Sequence, residues 1–408
     1  MNCRHCRTPL RLPLVDLGSS PPSNAYLTAD ALDRPERWFP LRVLVCEGCW
    51  LAQTQDFADA HELFDADYAY FSSYSASWVE HARRYVEQMR HELALGPRSH
   101  VVEVACNDGY LLQHVRSLGI PCTGIEPTAS TAAAARDRGI PVVQEFFGAA
   151  LGRALAARGP RADLMAANNV LAHVPDINDF VAGFEELLAP EGVATFEFPH
   201  LLRLLEGVQF DTIYHEHFSY LSLGAVERIM VGQGLVVHRA EELPTHGGSL
   251  RVFVQRRDTG RRPRHGSVDD LLERERAAGL QSADGYRGFQ ARAERVRDDL
   301  VAFLIDAKRA GRSVAAYGAA AKGNTLMNFG GVRPDLVRCV ADANPAKQGK
   351  FMPGSRIPIV SPEALRRDRP DYLLVLPWNL ADEVRRQNAD LAAQGTQFVT
   401  AVPCLHVS

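Results

Sequence analysis

Residues 100–127 read HVVEVACNDGYLLQHVRSLGIPCTGIEP and decide the fold class of the chain. An apolar strand, His100–Ala105, enters a turn at Cys106–Gly109, and a helix with apolar residues at helical spacing follows it. A second strand, Cys122–Ile125, comes next. This order predicts an α/β fold with a parallel, doubly wound sheet. Helices are also predicted at Ser77–Leu95 and Thr131–Arg138, and further strands at Val142–Val143, Asp163–Ala167, Thr195–Phe198 and Val252–Gln255.

Acidic residues in this stretch point to a nucleoside-containing cofactor. Glu103 lies in the first strand, and Glu126 ends the second, where a carboxylate can bind both hydroxyls of a ribose. The first turn keeps only Gly109 of a GxGxxG pattern, whereas a pyrophosphate requires close approach of glycine backbone. S-adenosylmethionine carries no phosphate. The pattern therefore favours S-adenosylmethionine over NAD, with Asn107 in the same turn as a further cofactor residue.

Composition limits the other function classes. The chain has 408 residues, which predicts two or three domains, and its 45 basic and 49 acidic side chains give a net charge of −4. This balance argues against a protein that coats nucleic acid non-specifically. We find no apolar run near the roughly 18–20 residues that span a bilayer, and no apolar signal core at the N-terminus. We therefore expect a cytoplasmic protein without membrane partners.

Two CxxC pairs predict a metal site in the first 65 residues. Cys3, Cys6, Cys46 and Cys49 have the spacing of a tetrahedral four-thiolate Zn²⁺ site, with free thiols as the alternative. A reducing compartment disfavours disulfides. Four thiolates leave no open coordination position, so the expected zinc is structural rather than catalytic.

Titratable and polar side chains are concentrated in three other segments. FDTIYHEHFSYLS (210–222) contains Tyr214, His215, Glu216 and His217 just after a strand ending in EFPH, although a solvated histidine-rich loop is the alternative. NNVLAHV (168–174) follows the fourth strand and places Asn169 and His173 four residues apart, on one face if the segment is helical. A tyrosine- and serine-rich stretch before the helix at residue 77 suits a ligand-covering segment, with Tyr70 and Ser73 at the cofactor and aromatic packing as the alternative.

Residues beyond 240 predict a second ligand-binding region. THGGSLR (245–251) has paired glycines that permit close backbone approach to a ligand, and Arg251 could reach a phosphate. Residues 259–300 are rich in charge and are interpreted as a solvated helical connector. A last α/β unit, 301–408, has predicted strands at Val314–Gly318, Val337–Ala341 and Tyr372–Leu376. Lys322 and the amides of the helix after its first strand would suit a phosphate, unless the unit is a degenerate nucleotide fold kept as scaffold.

The whole chain resembles the sugar C-methyltransferases of antibiotic deoxysugar biosynthesis. The resemblance rests on the two CxxC pairs, EVACNDGYLL (103–112), GIEP (124–127), NNVLAHV, EFPH, FDTIYHEHFSYLS, THGGSLR and YGAAAKGN (317–324), of which the FDTIYHEH segment is the most specific. It implies an N-terminal zinc module (1–65), a Rossmann-like class I methyltransferase domain (66–258), the connector and a C-terminal Rossmann-like domain that binds a sugar nucleotide (301–408).

The resemblance also implies a reaction. S-adenosylmethionine would methylate a nucleotide-linked, dTDP-type 4-keto-6-deoxy sugar at a carbon beside the ketone, with C3 favoured over C5. His217 would be the base, with Glu216 as the other candidate. The remaining roles would fall to Tyr214, Tyr68, Asn169 and His173 around the sugar and to Lys322 and Asn324 near the diphosphate. We expect a monomer or weak oligomer.

Two rival functions share part of this pattern. A zinc-knuckle nucleic-acid methyltransferase would also combine a metal module with a methyltransferase domain, but it would be expected to carry a basic stripe. An NAD-dependent sugar-nucleotide oxidoreductase would use the C-terminal α/β unit, where GxGxxG is also absent. A non-catalytic sugar-nucleotide binder would leave Tyr214–His217 without a role.

Overall fold

The computed structural model describes residues 1–55 and 71–408. The N-terminal module is an antiparallel sheet in the order β1-β2-β3-β9, and its last strand comes from the middle of the chain. These strands are β1 (Leu12–Ser20), β2 (Phe39–Val45), β3 (Ala52–Thr54) and β9 (Ser219–Tyr220). The module is therefore joined to the segment that contains Tyr214–His217.

The central domain is an α/β unit built around a sheet of order β10-β11-β8-β7-β4-β5-β6. Strands β8, β7, β4, β5 and β6 run parallel, and β10–β11 form an antiparallel extension. Its strands are β4 (Val101–Val104), β5 (Cys122–Ile125), β6 (Val142–Val143), β7 (Ala162–Asn168), β8 (Leu188–Pro199), β10 (Leu235–Leu243) and β11 (Ser249–Arg256). Its helices are α1 (Ala76–Glu92), α2 (Leu112–Ser117), α3 (Ala129–Asp137), α4 (Ala149–Arg158), α5 (Ile177–Leu187), α6 (Leu201–Glu206) and α7 (Leu223–Gly232).

The C-terminal part is a second α/β unit, with sheet order β14-β13-β12-β15-β16-β17. Two long helices lead into it, α8 (Gly266–Ala277) and α9 (Phe289–Arg309). Its strands are β12 (Val314–Tyr317), β13 (Val340–Ala341), β14 (Ile359–Val360), β15 (Tyr372–Val375), β16 (Gln397–Thr400) and β17 (His406–Val407). Its helices are α10 (Ala321–Phe329), α11 (Pro362–Asp368), α12 (Ala381–Gln387) and α13 (Ala389–Ala393). No helix within the described ranges is long and apolar enough to cross a membrane.

Predicted and observed strands agree best in the central domain. The strands at Cys122–Ile125 and Val142–Val143 match to the residue. The strand predicted at Val337–Ala341 is reduced to Val340–Ala341, because the amides of Leu336 and Val337 both donate to the Arg333 carbonyl in a turn. A turn closed by backbone hydrogen bonds leaves those residues outside the ladder.

The connector is helical as predicted, but it is not simply solvated. Both helices bury one apolar face, and Glu275 on α8 is 1% exposed. Its carboxylate lies 2.7 Å from Nε2 of His200 and accepts the amides of Leu223 (2.6 Å) and Gly224 (2.9 Å) at the start of α7. A carboxylate at a helix N-terminus satisfies otherwise unpaired donors. Composition alone does not distinguish this carboxylate from the exposed ones around it.

Replacing Glu275 with alanine should lower the free energy of unfolding by about 3 kcal/mol, because His200 and two buried amides lose their acceptor. Guanidinium unfolding followed by circular dichroism measures the change. Glu273→Ala is the control, since Glu273 is exposed and its ion pair in the described chain is with Arg276 on the same helix. Equal stability of the two variants would contradict a structural role for Glu275.

Candidate active site

A cavity of about 650 Å³ opens where the central domain meets the other two parts of the chain. Its wall includes the loops after β4, β5, β7 and β8, as expected for a ligand site at the carboxyl edge of a parallel sheet. The C-terminal unit contributes Ala320, Ala321, Lys322 and Lys347, and the N-terminal module contributes Asn24. All three parts of the chain therefore enclose one space.

Glu126 and Asn107 lie together at the sheet end of the cavity, as predicted. The Glu126 carboxylate accepts the amides of Asn107 (2.9 Å) and Thr128 (3.0 Å), and burial raises its pKa. Each carboxylate oxygen retains a further lone pair for a ligand hydroxyl. The arrangement fits a ribose.

Glu103 lies beneath this wall and does not line the cavity. It is 1% exposed, and neither carboxyl oxygen has a hydrogen bond of good geometry to a described residue. Burial raises the pKa of Glu103 well above its ordinary value, while the nearby Tyr110 hydroxyl opposes this effect. A buried carboxyl group without a partner is costly, so a cationic ligand group would stabilise it.

Four of the ten non-glycine residues with positive φ in the described chain lie on the cavity wall. Ala105, Asn107, Asn169 and His246 all line it and adopt φ angles of 58°, 50°, 53° and 54°. Non-glycine residues occupy this left-handed region rarely, and such residues are often found at functional sites. The left-handed Asn169 also prevents residues 168–174 from forming one helix, so Asn169 and His173 reach the wall from a loop and a short 3₁₀ turn.

His217 is buried on the cavity wall in its neutral form. Its Nδ1 lies 2.9 Å from the Thr212 carbonyl, which can only accept, so Nδ1 carries the proton and Nε2 keeps a lone pair. Burial, followed by the neighbouring His173, places the pKa of His217 well below its ordinary value. The ring centroids of Tyr214 and His173 lie 3.9 and 4.6 Å from that of His217. Three of the predicted catalytic residues, Tyr214, His173 and His217, therefore lie side by side in the described part of the chain.

Glu216 lines the same cavity but does not orient His217. The Thr212 carbonyl, rather than this carboxylate, fixes the tautomer of the imidazole. The Glu216 carboxylate accepts both of its hydrogen bonds from Nδ2 of Asn24, at 2.7 and 2.9 Å. Burial raises the pKa of Glu216 to about 7, against the opposing effect of Asn24.

Two lysines reach the cavity from the C-terminal unit. Nζ of Lys322 donates to Asn379 (2.7 Å) and lies 4.7 Å from the centre of the Trp378 ring, whose Nε1 donates to Asp211 (2.7 Å). Burial lowers the pKa of Lys322, and Asp211 opposes the change. Nζ of Lys347 donates to the Ala319 carbonyl (2.8 Å).

Several predicted site residues lie elsewhere. Arg251 is buried with Glu197 (2.6 Å) and packs on Tyr85, so its guanidinium is committed to an internal ion pair. Asn324 donates to the Ser23 carbonyl (2.5 Å), and the Ser73 hydroxyl bonds to Asp108. Tyr68 and Tyr70 lie outside the described residues.

The predicted glycines also serve packing rather than ligand approach. At Gly109 an added Cβ would lie 2.3 Å from Ile140, and at Gly247 it would lie 2.4 Å from Trp378. The first contact is internal to the central domain, and the second lets the C-terminal unit pack against the THGG loop. Neither glycine lines the cavity wall.

Polar and aromatic wall residues that the sequence did not predict include Asn24, Trp78, His246 and Lys347. Trp78 lies in the helix predicted at Ser77–Leu95, and its ring stacks on His81 and lies 5.2 Å from that of His246. His246 directly precedes the paired glycines Gly247 and Gly248. Asn24 and Lys347 carry no local sequence signal.

The four cysteines predicted to bind metal converge on one point. Their sulfur atoms all lie within 4.8 Å of one another, and sulfurs around one tetrahedral zinc are separated by about 3.8 Å. Nε2 of Gln53 lies 3.2 Å from Sγ of Cys3 and supplies an outer hydrogen bond of the kind that orients metal ligands. These residues fit a structural zinc ion.

Three family models match the chain in sequence. Residues 3–64 match a family described as "Putative zinc binding domain", residues 78–240 a methyltransferase domain, and residues 244–403 the C-methyltransferase C-terminal domain. Among curated proteins, C-methyltransferase NovU of Streptomyces niveus is 35% identical over 401 residues, which cover 98% of this chain and 95% of that protein.

Solved structures of methyltransferases resemble part of this chain at low identity. Magnesium protoporphyrin IX methyltransferase of Synechocystis PCC 6803 is 13% identical, with a TM-score of 0.35, over 44% of this chain and 83% of its own. An S-adenosylmethionine-dependent methyltransferase of Clostridium acetobutylicum is 11% identical, with a TM-score of 0.36, over 43% and 91% of the two chains.

Metal analysis of the purified protein should give one zinc per chain. Cys49→Ala should lose the metal and melt at a lower temperature, because the knuckle joins directly to β3. Cys404→Ala is the matched control, since Cys404 is exposed and lies outside the cluster. Full zinc content in the Cys49 variant would rule out the four-thiolate site.

Proposed function

This chain belongs to the family of S-adenosylmethionine-dependent C-methyltransferases, and from that premise we propose that its substrate is a nucleotide-linked 4-keto-6-deoxy sugar. The observation that carries the proposal is the convergence of His217, Glu216 and two lysines on one cavity. The methyl group would be transferred to a ring carbon beside the ketone, with C3 favoured over C5 on the resemblance of the sequence.

The sheet end of the cavity would hold the cofactor. S-adenosylmethionine supplies an electrophilic methyl group when it is bound. Glu126 would bind the ribose hydroxyls, while Asn107 and Asn169 would line the same end. The positive charge of the methionine part would favour the ionised form of Glu103, which is buried beneath them beside the Tyr110 hydroxyl.

A carbon atom needs an adjacent electron-withdrawing group before a protein base can make it a nucleophile. A ketone provides this acidity, because the electron pair of the broken C–H bond moves into an enolate. Nε2 of His217 would take the proton, since its lone pair is free while Nδ1 is bound to Thr212. An ionised Glu216 in the same cavity would favour the imidazolium that forms, which offsets the low pKa of His217.

The other wall residues would position the sugar and its anionic group. Tyr214 and His173 surround the imidazole, and Tyr68 is proposed as a further substrate residue on the resemblance alone. Lys322, Lys347 and the first residues of α10 line the cavity from the C-terminal unit. Cationic groups and helix N-terminal amides suit a diphosphate.

His217→Asn should lower kcat by roughly 10²–10⁴-fold, the span for loss of a general base, while S-adenosylmethionine binding by calorimetry stays unchanged. His215→Asn is the matched control. His215 is the neighbouring histidine, but its ring bonds to the Phe39 carbonyl and it does not line the cavity. A drop of less than about tenfold in the His217 variant would assign the proton to another group, with Glu216→Gln as the next variant.

Incubation with methyl-labelled S-adenosylmethionine and a panel of nucleotide-linked sugars tests the substrate class. We expect label in 4-keto-6-deoxy sugars, on a carbon located by NMR of the product, and none in the same sugars reduced at C4. Label on oxygen, or transfer to the reduced sugars, would sink the enolate mechanism. Transfer to RNA would instead support the nucleic-acid methyltransferase.

A further inference from the structure

The loop between β1 and β2 leaves the zinc module and crosses to the C-terminal unit. The Ser23 carbonyl accepts from Asn324 (2.5 Å), and the Tyr26 hydroxyl donates to the Ala319 carbonyl (2.6 Å). Leu27 and Phe351 exchange two backbone hydrogen bonds, at 3.0 and 2.8 Å. These contacts hold residues 23–27 at three points on one side of the cavity.

Between these points Asn24 projects towards the central domain. Its Nδ2 lies 2.7 and 2.9 Å from the two oxygens of Glu216, which is 2% exposed. The amide nitrogen must face the carboxylate, because ionised oxygens can only accept. These are the only side-chain hydrogen bonds that the Glu216 carboxylate makes to described residues.

We propose that Asn24 is a positioning residue that holds the Glu216 carboxylate in its ionised, correctly oriented form, so that the zinc module takes part in the reaction. The proposal rests on the proposed function only where turnover is concerned. A hydrogen bond donated to the charged form favours ionisation and opposes the effect of burial. The contacts of residues 23–27 with the C-terminal unit fix the Asn24 amide before the substrate binds. The hydrogen bond to Glu216 therefore does not have to be formed anew in each turnover.

The other groups around Glu216 do not replace this donor. His173 and His217 are neutral at pH 7, because burial lowers both pKa values, that of His173 to about 4. Tyr26 is also neutral, since burial raises its pKa. Lys322 and Lys347 face the cavity from the C-terminal unit, but they donate to Asn379 and Ala319. Within the described chain, Asn24 is therefore the direct donor.

Carboxyl ¹³C NMR of the full-length zinc protein measures the pKa of Glu216 without substrate, with Glu216→Gln assigning the signal. Asn24→Leu should raise this pKa by about one, the effect of losing one charge-assisted hydrogen bond. The ionised fraction at pH 7 then falls about fivefold. At pH 7 turnover should fall by the same factor as the ionised fraction of Glu216. It should recover by about pH 9, because the acidic side of the pH–rate profile shifts to higher pH with the pKa of Glu216.

Tyr26→Phe separates the amide from general docking of the loop. It removes the hydroxyl bond to Ala319 and changes no charge, so the pKa of Glu216 should stay at its wild-type value. Asn24→Asp keeps the shape of the side chain and guards against a folding defect. It should raise the pKa further, because two carboxyl groups then compete for one charge.

An unchanged titration of Glu216 in both Asn24 variants would overturn the inference, and so would an equal rise in Tyr26→Phe. Failure of the proposed function looks different. In that case wild-type protein methylates no keto sugar, while the Glu216 titration still depends on Asn24.

Discussion

The pairing of β3 with β9 is the constraint on which the site depends. β3 begins three residues after Cys49, and β9 begins two residues after His217, so one short ladder links the metal site to the proposed base. The Thr54 hydroxyl donates to the His217 carbonyl (3.1 Å), and Nε of buried Arg4 donates to the Phe218 carbonyl (3.3 Å). A knuckle without metal would release the strand that fixes this backbone. A zinc ion held by the four thiolates would therefore stabilise the backbone next to the proposed base without taking part in bond making.

Burial determines the charge states within this framework. Removal of water favours the neutral forms of His217, His173 and Glu216, and only groups with a placed partner keep their charge at low cost. Lys322 illustrates the second case, with Asn379 as acceptor, the Trp378 ring beneath it and Asp211 nearby. The result is a neutral imidazole, a carboxyl group that titrates near pH 7 and a cation in one low-dielectric space. Such a set suits proton removal from a weak carbon acid better than any of its members alone.

Sequence patterns predicted the features that depend on neighbours along the chain. Strand–turn–helix periodicity gave the central sheet, CxxC spacing gave the sulfur cluster, and the density of titratable groups identified Tyr214–His217. The hydrogen-bond partners of those groups could not be predicted from the neighbouring sequence. Asn24 is 192 positions from Glu216, and nothing in PSNAY marks it as a donor to a buried carboxylate. Arg251 is the reverse case, in which the local sequence suggests a ligand that the fold does not support. A basic residue beside glycines is typical of a phosphate site, but the guanidinium of Arg251 is paired with the buried Glu197.

The C-terminal unit forms part of the cavity wall. Asp342 ends β13, the place where a dinucleotide-binding fold presents an acid to ribose. Here its carboxylate accepts the amides of Ala319 (2.8 Å) and Asn344 (2.8 Å), and Lys347 lies 3.7 Å away. Glu126 also accepts two amides, but it lines the cavity, whereas Asp342 does not. The acidic residue after the second strand therefore lines the cavity in the central sheet, whereas in the C-terminal sheet it holds a loop in place. That loop presents Ala320, Ala321 and Lys322 to the shared cavity, so the second fold contributes its helix N-terminus and a cation to a site that the first fold cannot close alone.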